Sequence, residues 1–293
     1  MQDKNEEFIN LLSAEMVEEI LAYLKPKELV TAALASKATF FVNAKRQLAL
    51  NNEVHKRLID RAHAMSTDVA HGKQAEVEEL LVQLPSVQAQ ELLLTRAPFT
   101  DYSGRTFHCT AYEYAYWAKD THMCRMLEHQ MDADTKRDML KRCEAIENDG
   151  LTYKQHGVEV KGSKHFDFTP LKTALTHYLD GFDNWLNTRN KTALEAAWMA
   201  VGLAQRDVPV HVMNEYCRPD RSFKPTPTFN EDELPRVLTY YHLSTGRAVL
   251  LFPLVFSDTS GLGVDFALVR GLMSVPGPSG CPGRAAGIDL LAG

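Results

Sequence analysis

The chain has 293 residues, a mass of 33.0 kDa and a formal net charge of −6, from 32 basic and 38 acidic side chains. This mild acidity disfavours a protein that coats nucleic acid or lies on an anionic membrane surface. Hydrophobic residues at 45% and charged residues at 24% are ordinary values for a globular protein. The longest apolar run, residues 248–256, is too short to cross a bilayer, so the sequence predicts no membrane span.

The amino end and the cysteines bear on the compartment. Residues 1–7 are polar and acidic, whereas a secretory signal is basic and then apolar, so we expect no Sec-type export. Five cysteines without CxxC spacing indicate reduced thiols, as in a cytoplasm.

Glycine and proline divide the chain into regions. Residues 1–71 contain no glycine and a single proline, which favours helices, whereas residues 271–293 hold six glycines and three prolines. We predict a helical domain at 1–60, a repeat region at 61–207, a C-terminal unit at 208–270 and a disordered Gly/Pro-rich tail at 271–293. Composition changes abruptly after Arg270, which leads to the hypothesis that the tail replaces a longer native ending.

Three short helices are predicted near the amino end. The first has Met16, Ile20 and Leu24 on one side and Ser13 as its N-cap. The second begins at Pro26, and the third contains Phe40. A unit of this kind buries little apolar surface by itself, so we expect it to pack on a neighbouring domain or on a partner protein.

The apolar positions of these helices follow a fixed spacing, Leu12-x-x-Glu15-Met16-x-x-x-Ile20-Leu21-x-x-Leu24-x-Pro26-x-Glu28-Leu29, followed by Ala35-Ser-Lys37 and Phe40. The spacing resembles the F-box motif, although family members usually have proline where this chain has Ser13. F-boxes dock on the Skp-family adaptor of cullin-RING ubiquitin ligases, so the resemblance implies a ubiquitin ligase adaptor. The residues that it implies for Skp binding are Leu12, Met16, Ile20, Leu24, Leu29 and Phe40. The alternative is a helical cap that packs on the rest of the chain.

The middle of the chain contains two copies of a short motif. They are Thr169-Pro-Leu-Lys-Thr-Ala174 and the looser Thr110-Ala-Tyr-Glu-Tyr-Ala115, which follows Asp101-Tyr-Ser-Gly-Arg-Thr106. These segments resemble the T-P-L-x-x-A signature and the D-x-x-G-x-T turn of ankyrin repeats. The resemblance implies three or four degenerate helix pairs, in which threonine caps the first helix. The copies start 59 residues apart, against roughly 33 in a regular array, so an insertion such as residues 150–165 is expected between them.

Aromatic residues crowd the looser copy. We predict that Tyr112, Tyr114, Tyr116 and Trp117 are mostly core, because consecutive positions of one helix cannot all face outward. Their alternative role is to anchor a ligand protein on a concave face.

The C-terminal unit carries the one strand pair that the sequence predicts. Four prolines in residues 217–235 favour an extended loop, and residues 237–241 and 248–252 then flank a turn, as in a β-hairpin. The predicted fold class is therefore mainly α, with an F-box-like helical segment, irregular ankyrin-like helix pairs and a small C-terminal β-hairpin unit.

The sequence predicts no catalytic residue, cofactor or metal ligand. Zinc would require convergent thiols and imidazoles, and the helical spacing of the candidates argues against a shared ion; they are Cys109, His122, Cys124, His129 and Cys143. A Cys217–His211 nucleophile pair stays open, because such partners meet in space. An enzyme that acts on a host protein through residues 208–268 is therefore an alternative.

The order of these segments carries a further resemblance. An F-box-like segment, ankyrin-like repeats and an acidic Pro-rich loop resemble host-directed effectors of intracellular bacteria that type IV secretion delivers. The resemblance implies a non-catalytic virulence adaptor in the host cytoplasm. Its repeats would bind a client protein, and its F-box would recruit the ligase. A second alternative is an ankyrin-like interaction scaffold without Skp binding.

Overall fold

The computed structural model describes residues 38–217, 228–236, 239–242 and 247–250, together with Lys25 and Lys27. Within these residues the fold is mainly α, as predicted, with nine helices. The helices are α1 (Ala38–Ala70), α2 (Gln74–Gln83), α3 (Ser86–Leu94), α4 (Ala111–Ala118), α5 (Thr121–His129), α6 (Ala133–Asp149), α7 (Thr169–Asn187), α8 (Lys191–Arg206) and α9 (Val210–Cys217). None of them is both long and apolar enough to cross a bilayer.

The third predicted helix is not short. Its counterpart, α1, is a continuous helix of 33 residues, because the sequence between residues 38 and 70 contains no glycine or proline to interrupt it. It ends just before Gly72, whose φ of 75° suits glycine. The chain divides into two compact units, residues 1–61 and 62–293, and the core described below belongs to the second.

A four-stranded antiparallel sheet is the main departure from the prediction. Its strands pair in chain order, and they are β1 (Ala97–Thr100), β2 (Thr106–Cys109), β3 (Leu151–Gln155) and β4 (Val158–Ser163). The sequence predicted only the C-terminal hairpin, so the prediction of a single strand pair was wrong. That hairpin is confirmed as β5 (Thr239–His242) and β6 (Arg247–Leu250), which pair antiparallel. The predicted insertion at residues 150–165 is the hairpin β3–β4.

An aromatic core lies between the sheet and α4. Phe99 and Phe107 stack at 5.8 Å between ring centroids, and Tyr114 meets both rings edge-on at 5.4 and 5.2 Å. Trp117 lies 5.0 Å from Phe107 and 5.6 Å from Tyr153 on the neighbouring strand. Edge-to-face packing of this kind adds to the apolar burial of each ring, so the sheet and α4 form one core.

The second half of the core is a hairpin of two longer helices, α7 with 19 residues and α8 with 16. Tyr178 of α7 and Trp198 of α8 are fully buried, with ring centroids 4.8 Å apart. Their buried neighbours include Leu171, Leu175, Phe182, Leu194 and Val201.

Gly150, between α6 and β3, is a position where the fold requires glycine. Its φ is 72°, and a Cβ there would lie 2.2 Å from the carbonyl carbon of Gly162. Because both the backbone conformation and the contact exclude a side chain, Gly150→Ala should lower the free energy of unfolding by about 3 kcal/mol or more. Urea denaturation followed by tryptophan fluorescence measures this change.

Gly104→Ala is the matched control for that prediction. Gly104 has a φ of 83°, but a Cβ there meets nothing within 4 Å. The control should lose only about 1 kcal/mol, from the left-handed backbone alone. Equal losses in the two variants would show that the close approach of Gly162 contributes nothing.

Candidate interaction site

The helix pair α4–α5 begins with a complete capping box. The Thr110 hydroxyl accepts a hydrogen bond from the Glu113 amide at 3.2 Å, and the Glu113 carboxylate accepts one from the Thr110 amide at 2.9 Å. At the turn between the helices Lys119 has a φ of 61°, and the Asp120 carboxylate then caps α5 at the amide of Met123. The looser copy of the motif thus begins a pair of short helices of eight and nine residues, and its threonine caps the first of them, as predicted.

The closer copy of the motif behaves differently. Thr169 lies inside α7, Phe168 occupies the cap position and makes no side-chain cap, and the prediction that Thr169 caps the helix was wrong. The Asp167 carboxylate accepts the Thr169 amide instead, at 2.8 Å, and Pro170 lies in the first turn.

The segment that resembles an ankyrin turn connects β1 to β2. One oxygen of Asp101, Oδ1, accepts hydrogen bonds from the Ser103 amide, the Ser103 hydroxyl and the Arg105 amide, at 2.8–3.0 Å. The other oxygen, Oδ2, accepts from Arg105 Nε at 2.9 Å, and both side chains are buried. This turn is therefore closed by a buried ion pair that satisfies the aspartate completely.

Arg105 ties the hairpin to the rest of the unit. Its Nη2 donates to the backbone carbonyl of Asp207 at 2.5 Å, and its guanidinium lies over the rings of Trp117 and Phe166 at 5.2 and 5.1 Å. Burial opposes the charge of Arg105, but the surrounding groups, with Asp101 first among them, together raise the pKa of the arginine. The role of this charged pair is therefore structural.

Glu113 is a second buried carboxylate with arginine partners. Arg96 donates to it through Nη2 at 2.5 Å, and Arg142 Nη1 lies 3.8 Å from Glu113 Oε2. Burial raises the pKa of Glu113, but the hydrogen bonds from Arg96 and Thr110 and the charges of Arg96 and Arg142 together lower it overall. The carboxylate is thus ionised and paired, which is the opposite of a general acid held protonated.

A nine-residue strap, residues 228–236, crosses the turn between α4 and α5. Arg236 forms a fork on the Asp120 carboxylate, with Nη1 2.6 Å from Oδ2 and Nη2 3.0 Å from Oδ1, and Nη2 also donates to Gln74 Oε1 at 2.8 Å. The ring of His122 bonds through Nε2 to the carbonyl of Glu231 at 2.5 Å. Burial raises the pKa of Asp120, but His211 and Arg236 outweigh burial and lower it to about 2.

The open surface beside the helix pair is the outer face of the sheet. Alternate strand residues point away from the aromatic core, and Thr100, Thr106, Lys154 and Glu159 lie side by side across the four strands. All four are exposed, and the hydroxyls of Thr100 and Thr106 are 3.2 Å apart. By contrast, α4 is nearly enclosed, so its side chains do not form an open surface.

The structure places the predicted aromatic and sulfur residues in the core. Tyr112, Tyr114 and Trp117 are buried, which confirms the core prediction for them, while half-buried Tyr116 donates to Glu147 at 2.7 Å. The three cysteines considered for zinc are also buried, and burial raises the pKa of each thiol; they are Cys109, Cys124 and Cys143. Across the described ranges no three histidine, cysteine or acidic side chains converge as metal ligands.

The alternative nucleophile pair gains no support from the backbone. His211 and Cys217 lie six positions apart on α9, so about 9 Å of helix rise separates them. The His211 ring is buried, with Nδ1 3.7 Å from Asp120 Oδ2. The pocket beside the His211 and Asp120 side chains has no room for a water molecule; it is lined by Val69, Tyr114, Ala115, Ala118, Asp120, Met123, Pro209, Val210 and His211.

Most of the residues predicted to bind Skp cannot be placed. Leu12, Met16, Ile20, Leu24 and Leu29 lie outside the described residues, as does the tail at 271–293, and Phe40 is described only as backbone within α1. Sequence reasoning missed the Asp120–Arg236 pair, whose partners are 116 positions apart. The aspartate before α5 was its only local signal, because aspartate is a favoured cap.

The fold and its site define a mainly α protein in which a short capped helix pair packs against a four-stranded antiparallel sheet. A family model described as the CBUA0006 C-terminal domain matches residues 170–292. The chain is similar to the uncharacterized protein CBUA0006 of Coxiella burnetii (strain RSA 493 / Nine Mile phase I), with 38% identity over 219 residues. The similarity covers 70% of this chain but 61% of that protein, so the chain spans less than two thirds of this relative. No solved structure matches.

The family match also bears on the tail. It runs through residue 292 and therefore includes nearly all of the Gly/Pro-rich stretch. That the tail replaces a longer native ending stays a hypothesis.

Proposed function

We propose that this protein is a non-catalytic adaptor whose ankyrin-like core binds a client protein and whose F-box-like segment recruits a Skp-cullin ubiquitin ligase. The observation that supports client binding is the helix pair at residues 110–129. It has short helices, a threonine capping box and a preceding hairpin with an aspartate-closed turn. These features support an ankyrin-like unit, and repeat units of that class serve as binding surfaces.

The state of the buried carboxylates supports binding over catalysis. Asp101, Glu113 and Asp120 each pair with an arginine. Apolar surroundings or a second acid commonly bring the pKa of a catalytic carboxylate close to the working pH. An arginine partner instead lowers the pKa and favours the ionised form. These three groups are therefore suited to hold loops and helix ends in place.

The outer face of the sheet is the client surface on this proposal. It combines neutral hydroxyls at Thr100 and Thr106 with the charges of Lys154 and Glu159 on rigid, paired strands. Because the strands are already paired, this face loses little backbone freedom when a partner binds. Type IV delivery to a host cytoplasm, where such a client would be found, is part of the same proposal.

Replacing Ile20 and Leu24 together by aspartate tests the ligase arm. Two charges would replace apolar area in a buried contact, so the affinity for a purified Skp adaptor should fall at least about a hundredfold. Isothermal titration calorimetry of the full chain measures the affinity, and circular dichroism shows whether the chain stays folded. Glu18→Gln, on the predicted polar side of the same helix, is the matched control and should bind normally.

The same titration separates the adaptor from a scaffold without Skp binding. Unchanged affinity in a folded Ile20→Asp/Leu24→Asp variant would contradict the proposed contact. Deleting residues 1–50 gives the complementary result, because loss of a docking motif leaves the core folded, whereas loss of a cap unfolds it.

A further inference from the structure

The strap is held by the Asp120 carboxylate, which lies close to both Arg236 and His211. Asp120 Oδ2 accepts a hydrogen bond from Arg236 Nη1 at 2.6 Å, and the same oxygen lies 3.7 Å from His211 Nδ1. A distance of 3.7 Å is too long for a hydrogen bond, so Arg236 holds this oxygen and His211 does not. Buried His211 Nδ1 has no hydrogen-bond partner.

We propose that residues 228–236 are an acid-sensitive latch, in which a proton taken up by His211 transfers the Asp120 oxygen from Arg236 to the imidazolium and releases the strap. With His211 neutral, one carboxylate balances one guanidinium. A proton on Nδ1 adds a second buried cation beside a carboxylate whose two oxygens are already occupied. A buried cation without a partner is costly, and a contraction of about 1 Å would give the imidazolium a hydrogen bond to Oδ2.

The two cations differ in how firmly their elements are fixed. His211 belongs to α9, where Met213 and Asn214 are buried as well, and its ring also contacts Phe229 of the strap at 5.8 Å. Arg236 belongs to the strap, of which five residues are exposed; these are Thr228, Asn230, Asp232, Glu233 and Pro235. The arginine is therefore the partner that leaves.

The other charged and titratable groups on the packed elements do not remove this competition. His122 on α5 holds the strap only through the carbonyl of Glu231, and Glu215 is buried one turn further along α9. Asp232 and Glu233 are exposed on the strap, where solvent screens their charge.

The pKa of His211 is shifted in the direction that the latch requires. Burial lowers the pKa of His211 in the folded chain, which outweighs the opposing effect of Asp120. A histidine with a lowered folded pKa contributes stability above its unfolded value of about 6.5, and that stability is lost as the pH falls. Acid therefore weakens the latched state.

Proteolysis of the strap by the glutamate-specific protease Glu-C tests the latch on the full chain. The strap contains Glu231 and Glu233, and its cleavage rate is divided by that of a synthetic peptide of residues 226–238, which corrects for the pH dependence of the protease. We expect this ratio to rise at least about tenfold between about pH 7.5 and about pH 5.5. Asp120→Asn, which removes the charge that holds Arg236, should give a high ratio at both pH values.

Two histidine variants identify the group that responds. His211→Gln should keep the ratio low at the acidic pH, whereas His129→Gln, at an exposed position of α5, should respond like the wild type. If His211→Gln does not fold, NMR titration of wild-type His211 replaces it, and its midpoint should coincide with the rise in cleavage. A wild-type ratio that does not change with pH overturns the latch. An equal rise in folded His211→Gln, or a His211 midpoint away from the rise, overturns it as well.

Discussion

Arg105→Met is expected to lower the free energy of unfolding by about 3–5 kcal/mol, because it leaves the Asp101 carboxylate buried without its charged partner. The substitution also removes the donor to the Asp207 carbonyl and the cation over the rings of Trp117 and Phe166. Methionine keeps much of the apolar volume, so a cavity does not account for the loss. Urea denaturation followed by tryptophan fluorescence measures it.

Arg137→Met is the matched control for Arg105→Met. Arg137 pairs with Asp134 on α6 at 2.7 Å, but both side chains are exposed, so its loss should cost less than about 0.5 kcal/mol. Similar losses in the two variants would contradict the structural role of the buried pair. A double variant, Asp101→Asn with Arg105→Met, should be less destabilised than the sum of its single changes, because the uncompensated charge is then absent.

Trp117→Ala is expected to cost about 3–5 kcal/mol as well, through a cavity in the aromatic core. The indole is fully buried among Phe107, Tyr114 and Tyr153, and its Nε1 donates to the Ser163 hydroxyl at 2.9 Å. Truncation therefore removes contacts with α4, β2 and β3 together and leaves a hydroxyl without its donor. Equilibrium denaturation and the melting temperature both report the change.

Trp185→Ala provides the comparison for that cavity. Trp185 is half-buried on α7, where its ring packs over Gly181 and meets His177 edge-on at 5.3 Å. Because part of its ring already faces solvent, its truncation should cost less than half as much as that of Trp117. A Trp117→Ala variant as stable as the Trp185→Ala variant would mean that the sheet and α4 do not share one core.

Local signals predicted the elements that depend on local sequence. The C-terminal hairpin followed from two apolar runs around a turn. The β3–β4 hairpin had a comparable signal, since residues 151–161 alternate around His156 and Gly157, whose φ values are 50° and 79°. The repeat spacing predicts an insertion there, whereas the local pattern of the segment indicates strands.

The candidate site depends on contacts that no local pattern contains. Arg236 meets Asp120 across 116 positions and Gln74 across 162, and a proline-rich segment gives no sign of where it packs. For a related reason, similarity to the signature did not show which of the two motif copies begins a pair of short helices. The signature letters are closer at Thr169, but the capping partner Glu113 and the short helix length accompany Thr110.

Recruitment of a Skp adaptor by the F-box-like segment is the central proposal, and it can be tested independently of client binding by the proposed ankyrin-like core. The most direct measurement is the molar mass, by light scattering after size exclusion, of the wild-type chain mixed with purified Skp adaptor. We predict a single species with the summed mass of one copy of each protein. Two separate peaks at the masses of the free proteins, from a chain shown to be folded, would contradict it.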